Sequence, residues 1–398
     1  MNLLKYVHAL GMAFLLVSCA HSPEGSMESP SVNRFTYVLD MVHDNPGEGR
    51  TVTKYTSPSF IKDMGANGMI PHLHIQTTID YSTYDATLWE EYPEQKKWVE
   101  DKRNWAKERL AEAEKAGVDM YPFTDFMVLP RVLLDKHREE LVRDEFLKGT
   151  KEGEAPFAAI KGKYAPDINK PLTEKLLRIQ LNEIFDAFPT LDGLTVRFGE
   201  TYLFDTPHHS GGSPLARGGE QGIADHVKLI NILKEEVCEK RNKKIFYRTW
   251  DFGFFHEKPD VFEKIASQVE PHPNLVFSIK HQQGDFHRMT PFNPTLGVGN
   301  HPYIVEVCCQ LDSYGKGAHP YYNGQGVIEG WEEYEKIMQP TAKKSIRDLL
   351  PDSNFVGVWT WSRGGGWQGP YIENELWIDL NTQVVSKWAQ DPSKTEEE

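Results

Sequence analysis

The segment KIFYRTWDFGFFHEKPDVFEKIASQVEPHPNLVFSIK, residues 244–280, decides the fold. Its two ends, 244–250 and 275–280, are short apolar runs with the aromatic and β-branched content of buried strands. Between them, 260–269 carries apolar residues at the spacing of an amphipathic helix. A strand, a helix and a second strand in this order form a βαβ unit, whose two strands run parallel.

The same alternation extends along the chain on both sides of this unit. Further strands are predicted at 35–42, 68–75, 118–126, 193–198, 303–310 and 354–361. Further helices are predicted at 59–65, 89–116, 173–188, 223–240, 330–349 and 374–389. The last helix is expected to bury a stripe made of Leu376, Trp377, Leu380, Val384 and Trp388.

Eight strands that alternate with helices predict an α/β fold, a single (β/α)8 TIM barrel over residues 34–390. The less regular segment 131–170 is interpreted as an insertion after the third strand. An open doubly wound sheet is the alternative. No glycine-rich dinucleotide fingerprint follows the first strand, which disfavours that alternative.

Composition argues against nucleic-acid binding and against a membrane-spanning segment. The 398 residues include 44 basic and 58 acidic side chains, which give a net charge of −14. An acidic chain without basic runs is a poor nucleic-acid binder, because neutralising phosphates requires clustered lysine and arginine. No apolar stretch is long enough to cross a membrane. Neither nucleic acid nor a membrane-spanning segment is therefore expected.

The N-terminus is interpreted as a targeting segment. Lys5 precedes a short apolar run that ends in Leu16-Val17-Ser18-Cys19, which resembles a bacterial lipobox. We expect a lipoprotein signal peptide at 1–18, lipid on Cys19 and a tether at 19–33. This places the protein on the bacterial cell envelope, anchored to the outer membrane; a plain secretory signal is the alternative. Residues 391–398 form an acidic tail.

Three further cysteines, Cys238, Cys308 and Cys309, show neither a metal-ligand spacing nor a disulfide framework. They are expected to be buried thiols, and the neighbours Cys308 and Cys309 should point to opposite faces of one strand. His72 and His74 would share one strand face, which is compatible with a metal. The sequence dictates no third ligand, so no metal and no cofactor is predicted.

Polar and aromatic residues gather where the predicted strands end, which is where TIM-barrel enzymes carry their active sites. They are Asp40, His43, Asp44, His72, His74, Asp125, Arg197, Glu200, Arg248, Trp250, Asp251, Lys280, His281, Asp285, Glu306, Asp312, Tyr314, Trp359, Trp361, Arg363 and Trp367. Paired carboxylates suit the cleavage of a glycosidic bond. Aromatic faces suit sugar rings, and arginine and lysine suit a substrate carboxylate. The pattern indicates an acidic sugar as substrate.

Some of these residues could have a structural role in place of a catalytic or binding role. Glu200 or Arg248 alone could be a partner in an ion pair inside the barrel. Trp359 and Trp361 share one face of their strand, and one of them is expected in the core.

Several segments resemble the family 67 glycoside hydrolases, the α-glucuronidases that act on xylan-derived oligosaccharides. The segments are SIKHQQGDFHRMTPFNPTLG (278–297), VEVCCQLDSYGKGAHPYY (305–322), FPTLDGLTVRFGET (188–201), FIKDMGANGM (60–69) and WQGPYIENELW (367–377). The resemblance implies that Glu200 is the general acid and that Asp285 and Asp312 activate water, with inversion at the anomeric carbon. It also implies that Arg248 and Lys280 bind the sugar carboxylate.

The remaining residues of the expected substrate site are Arg197, His281, Tyr314, Trp250, Trp361, Arg363 and Trp367. The chain departs from the family pattern in having Asp312 where the family has glutamate. Arg197 lies three residues before Glu200, whereas the family's cation lies four before its acid. His281 has no counterpart in the family.

Three functions remain open at this stage. The first is a glycosidase that acts on uronic-acid-terminated oligosaccharides from a plant or algal polysaccharide. The second is a lyase or dehydratase that eliminates across C4–C5 of such a uronate, with His281 or Tyr314 as base. The third is a lipoprotein that binds sugars without chemistry.

Overall fold

The computed structural model describes residues 35–43, 53–147, 165–198, 207–216, 218–251, 254–284, 286, 289–309, 322–364 and 375–395. The expected signal peptide, Cys19 and the tether lie outside these residues. Among the helices of the described part, none has both the length and the apolar content needed to cross a membrane.

Nine parallel strands form one sheet, and two short strands form an antiparallel ribbon beside it. The strands are β1 Tyr37–His43, β2 Gly68–Met69, β3 Asp119–Met120, β4 Phe123–Asp125, β5 Val128–Pro130, β6 Gly193–Arg197, β7 His209–Gly211, β8 Lys244–Arg248, β9 Leu275–Lys280, β10 Tyr303–Cys308 and β11 Phe355–Gly364. The sheet order is β3-β2-β1-β11-β10-β9-β8-β6-β4, and the ribbon is β5-β7.

The sheet closes into a barrel because β3 and β4, which stand at the two ends of this order, are adjacent parts of one strand. β3 and β4 are separated only by Tyr121 and Pro122. The amide of Tyr121 donates to the carbonyl of Met69 on one side, and the carbonyl of Pro122 accepts from Thr195 on the other. Counted as one strand, β3 and β4 complete a barrel of eight parallel strands. The predicted TIM barrel is confirmed.

Helices cover the outside of the barrel. They are α1 Pro58–Asp63, α2 Pro93–Ala116, α3 Arg131–Lys136, α4 Arg138–Leu141, α5 Asp144–Leu147, α6 Pro171–Ala187, α7 Gly219–Leu233, α8 Pro259–Ala266, α9 Gly324–Glu329, α10 Tyr334–Ile337 and α11 Leu376–Gln390. The longest, α2, starts at a proline, whose missing N–H costs nothing there, and is capped after Ala116 by Gly117, which has a left-handed φ of 67°.

The prediction of one long helix at 330–349 is wrong. The described chain forms only α10 and a 3₁₀ turn at Arg347–Leu349 in this range. Gly330, at φ 97°, ends α9, and Pro340 lacks the N–H that a continuous helix would need.

Alternation along the strands creates two apolar clusters. One fills the inside of the barrel and includes Tyr37, Tyr121, Phe123, Phe246, Ile304, Trp359 and Trp361. The other lies between the barrel and its helices. Cys308 belongs to the inner cluster and Cys309 to the outer one, which confirms the predicted opposite faces. Cys238 is buried as well, so the prediction of buried thiols is confirmed.

The stripe predicted to be buried on α11 is largely exposed. The exposed fractions are 64% for Leu376, 37% for Trp377 and 42% for Leu380. Of the predicted stripe, only Trp388 is fully buried. The buried face instead consists of Ile378, Asn381, Thr382, Val385, Ser386, Trp388 and Ala389.

Polar contacts explain the rotation of α11. The Asn381 amide accepts from the backbone N–H of Asn323 at 2.9 Å and donates to the carbonyl of Cys309 at 3.2 Å. These buried backbone groups lie past the end of β10, where leaving them without partners would be costly. Their need for partners turns the Asn381 face inward.

Candidate active site at the barrel mouth

Six of the residues predicted for the site lie together at the carboxyl ends of the barrel strands, hereafter the mouth. They are Arg197, Arg248, Trp250, Lys280, His281 and Trp361. Glu200, Asp285, Asp312, Tyr314 and Trp367 lie outside the described residues. For Arg363 the structure gives only its place in β11.

Arg248 and Glu306 form a bidentate ion pair inside the barrel. The Arg248 Nε donates to Glu306 Oε1 at 2.8 Å, and its terminal nitrogen donates to Oε2 at 3.0 Å. The hydroxyl of Ser278 donates to the same carboxylate at 2.9 Å. Arg248 is 2% exposed and Glu306 is fully buried, so the ion pair lies out of contact with water.

Aromatic rings surround the Arg248 guanidinium. Its central carbon lies 4.9 Å from the ring centroid of Phe123, 5.5 Å from Trp359 and 5.4 Å from Trp361. The two tryptophan rings are stacked, with centroids 5.5 Å apart and an interplanar angle of 21°. Both point into the barrel, as their predicted common face requires. Together the rings hold the guanidinium by cation–π attraction and exclude water from the ion pair.

Arg197 and Asp125 form a second buried pair on neighbouring strands. They are direct register partners of β6 and β4, and the two hydrogen bonds measure 2.5 and 2.6 Å. The Arg197 guanidinium also lies 4.8 Å from the Phe123 ring, on which Arg248 packs as well. Phe123 therefore contacts two cations that each have their own carboxylate.

Lys280 lies nearer the opening than Arg248. Arg248 is in register with Ser278, two residues earlier on β9, and two strand residues span about 6.6 Å. The Lys280 amine lies 3.8 Å from the ring centroid of Trp250, 4.6 Å from Phe286 and 5.5 Å from Trp361. At 1% exposure this ammonium is desolvated within an aromatic box. Because little water screens this ammonium, its interactions with nearby charges are strong.

His281 lies at the edge of the same box. Its ring is stacked on Phe286 at 5.3 Å. Its Nδ1 lies 3.1 Å from the carbonyl oxygen of Glu306, so Nδ1 carries the proton and donates it. Burial, with the nearby Lys280 charge, lowers the pKa of His281 to about 4. The imidazole is therefore neutral at pH 7, with Nε2 as an acceptor.

Two acidic residues assigned to strand ends have structural roles. Asp40 points away from the barrel interior and accepts hydrogen bonds from the hydroxyls of Thr360 and Ser362 at 2.6 and 2.8 Å. Asp251 accepts the backbone N–H groups of Phe254 and Phe255 and so closes the turn after β8. Neither arrangement directs a carboxylate into the mouth.

His72 and His74 do not share a strand face. β2 ends at Met69, and His74 adopts a left-handed backbone with φ 48°. Their ring centroids are 6.3 Å apart at a steep angle of 73°. Within the described ranges, no group of three or more His, Cys, Asp or Glu side chains is arranged to hold a metal ion.

Sequence reasoning missed how the cations are paired. Glu306 and Asp125 were noted as strand-end carboxylates, yet their roles as partners of Arg248 and Arg197 were not predicted. The available signal was strand alternation: all four side chains occupy inward positions on the parallel strands.

No protein-family model and no curated protein sequence matches this chain. Solved structures with a similar fold include a GH138 enzyme targeting pectin rhamnogalacturonan II, with a TM-score of 0.52 and 12% identity over 92% of this chain and 49% of that one. Another is a GH20 exo-β-N-acetylglucosaminidase from Vibrio harveyi, with a TM-score of 0.50 and 11% identity over 91% of this chain and 56% of that one. The chain thus spans about half the length of these two proteins. At such identities the similarity shows a shared fold: this barrel is one that solved glycoside hydrolases also have.

Proposed function

We propose that this protein is a glycoside hydrolase that removes a terminal uronic acid from oligosaccharides. The observation that carries the proposal is the ammonium of Lys280 inside its box of Trp250, Phe286 and Trp361. Aromatic faces pack against the C–H faces of a pyranose ring, and a desolvated cation binds a carboxylate on that ring. The mouth thus provides a binding partner for both features of a uronic acid, its pyranose ring and its carboxylate.

Two buried ion pairs lie deeper in the barrel than Lys280. Arg248 and Arg197 each bind a carboxylate of the protein, and both pack on Phe123. In this proposal Lys280 makes the main contact with the substrate carboxylate, because it lies nearer the opening than Arg248. Arg248, one layer deeper, supports the positive potential of the site.

The catalytic assignment follows the resemblance to family 67. We propose Glu200 as the acid that protonates the leaving oxygen, and Asp285 and Asp312 as the carboxylates that activate water. An inverting mechanism needs about 6.5–9.5 Å between acid and base, which leaves space for that water. Glu200→Gln should regain activity on a substrate whose leaving group is very acidic, because that group departs without a proton. Asp285→Ala should not, since its water still lacks a base.

The neutral imidazole of His281 favours elimination as a second candidate. A uronate held by Lys280 has an acidified C5 proton, because the cation stabilises the enolate-like intermediate. A neutral histidine at the edge of the box has the protonation state of a general base. The C5 proton would pass to His281 as the C4–C5 double bond forms, and the C4 hydroxyl, protonated by Glu200 or a tyrosine, would leave as water.

Product analysis separates these functions from each other and from binding alone. Uronate-terminated oligosaccharides from glucuronoxylan and from ulvan would be incubated with the protein. Hydrolysis adds one water per cleaved bond and releases free uronic acid. Elimination from a terminal uronate expels its C4 hydroxyl as water, so the product is lighter by one water and carries an unsaturated uronate that absorbs in the far ultraviolet. Binding without either product would leave a sugar-binding protein.

We also propose a lipid anchor at Cys19, on the basis of the lipobox sequence. The variant Cys19→Ser should be recovered in the soluble fraction or as an unprocessed precursor. If it is processed and membrane-bound to the same extent as the wild type, the anchor assignment is wrong.

A further inference from the structure

A groove of about 700 Å³ lies on the same face of the barrel as the mouth. Its walls come from three segments: 87–95, which leads into the first turn of α2, 131–136 in α3, and 207–208 before β7. These segments follow the carboxyl ends of β2, β4 and β6, which are consecutive around the barrel. The groove is therefore built from chain segments that follow β2, β4 and β6, and none of the residues of the Lys280 box lines it.

Three side chains give the groove its binding chemistry. Tyr92 is 40% exposed and presents both a ring face and a hydroxyl. The Nε of Arg131 is buried and has no acceptor among the described residues. Burial and the Arg131 charge lower the pKa of His208, so its imidazole is neutral at pH 7. A ring face beside neutral and cationic donors is a common arrangement for binding polar, ring-shaped ligands.

The charge balance selects against an anion. The groove is also lined by Glu90, Glu91 and Asp135. Lys136, its other cation, is already paired with Asp85 at 2.5 Å. An anionic ligand would meet more negative than positive charge there. Sugar hydroxyls suit this mixture, because they donate to carboxylates and accept from a guanidinium.

We propose that this groove binds neutral pentose or hexose units of the same oligosaccharide whose terminal uronate enters the mouth. The inference rests on the proposed function for its choice of ligand, but the groove itself can be tested without catalysis. In this arrangement Tyr92 stacks on the C–H face of a neutral sugar, and Arg131 donates to ring or hydroxyl oxygens. The substrate is then a chain of several units rather than a single glycoside.

The test uses Tyr92→Ala and Arg131→Met in the full-length protein. The matched control is Arg109→Met on α2, whose guanidinium pairs with Glu112 and which does not line the groove. Calorimetric titrations would use neutral hexasaccharides of xylose, glucose, mannose and galactose. We expect at least one to bind the wild type and the control equally. Each groove variant should weaken that binding by about fivefold to twentyfold, the loss of one or two polar or stacking contacts.

Kinetics gives a second readout. For uronate-terminated oligosaccharides, kcat/KM of the wild type should rise with chain length, and this rise should disappear in Tyr92→Ala. Binding to none of the four hexasaccharides, or binding unchanged in both groove variants, would overturn the inference. Absence of hydrolysis would overturn the proposed function alone, because the titrations require no turnover.

Discussion

Removing the cation of the buried pair should cost far more stability than removing its carboxylate. In Arg248→Met the Glu306 carboxylate keeps only the Ser278 hydroxyl as a donor among the described residues. It would also face the electron-rich rings of Phe123, Trp359 and Trp361, which now pack on Arg248. Breaking a buried pair by removing one partner costs about 3–5 kcal/mol, and we expect this variant to reach that range.

Glu306→Gln should be milder. The glutamine keeps an oxygen that accepts from Arg248, and the guanidinium retains three cation–π contacts at 4.9–5.5 Å. The lost charge assistance of a buried hydrogen bond amounts to about 1–3 kcal/mol. The free energy of unfolding of Glu306→Gln should therefore exceed that of Arg248→Met by roughly 2 kcal/mol.

Urea unfolding followed by tryptophan fluorescence measures the free energy of unfolding of both variants and of the wild type. Equal losses in the two variants, or a larger loss in Glu306→Gln than in Arg248→Met, would refute the reasoning.

Three further outcomes follow from buried groups. Burial raises the pKa of Asp40 from 3.8 to about 7, so folding favours the protonated carboxyl. The free energy of unfolding of the wild type should therefore fall as pH rises from about 4 to 7. In urea titrations Asp40→Asn should lack this fall. Leu380→Glu, on the exposed face of α11, should change the unfolding free energy by less than about 0.5 kcal/mol, whereas Val385→Glu should cost several-fold more. Burial raises the pKa of Cys309 far above its usual value, so a thiol reagent should modify it only after unfolding.

The sequence predicted the barrel because its strands are buried on both faces. Such strands appear as short apolar runs, and the predicted segments 275–280 and 303–310 coincide closely with β9 and β10. The β5–β7 ribbon was not predicted. Each of its strands has only three residues, which is too short for a period-two pattern to show.

The rotation of α11 about its axis and the pairing of the buried charges were harder to predict from the sequence. On α11 the apolar stripe beginning at Leu376 suggested one face, but the polar Asn381 turned another face inward to satisfy backbone groups of Asn323 and Cys309. Hydropathy cannot register such a requirement, because it treats buried asparagine as unfavourable. The ion pair between Arg248 and Glu306 joins residues 58 positions apart, and only the strand register brings them together.

The role of Lys280 in recognising a uronate can be tested by comparing one substrate with its neutral analogue. We would measure kcat/KM on a uronate-terminated oligosaccharide and on the matching neutral glucoside, for the wild type, Lys280→Met and the control Lys264→Met, whose lysine is 55% exposed on α8. Truncating a desolvated charge contact costs about 2–5 kcal/mol, so Lys280→Met should lose about 30-fold or more on the uronate. On the neutral glucoside it should stay within about threefold of the wild type, and Lys264→Met should match the wild type on both. Equal losses of Lys280→Met on the two substrates, or a wild type that prefers the neutral glucoside, would contradict uronate recognition at this mouth.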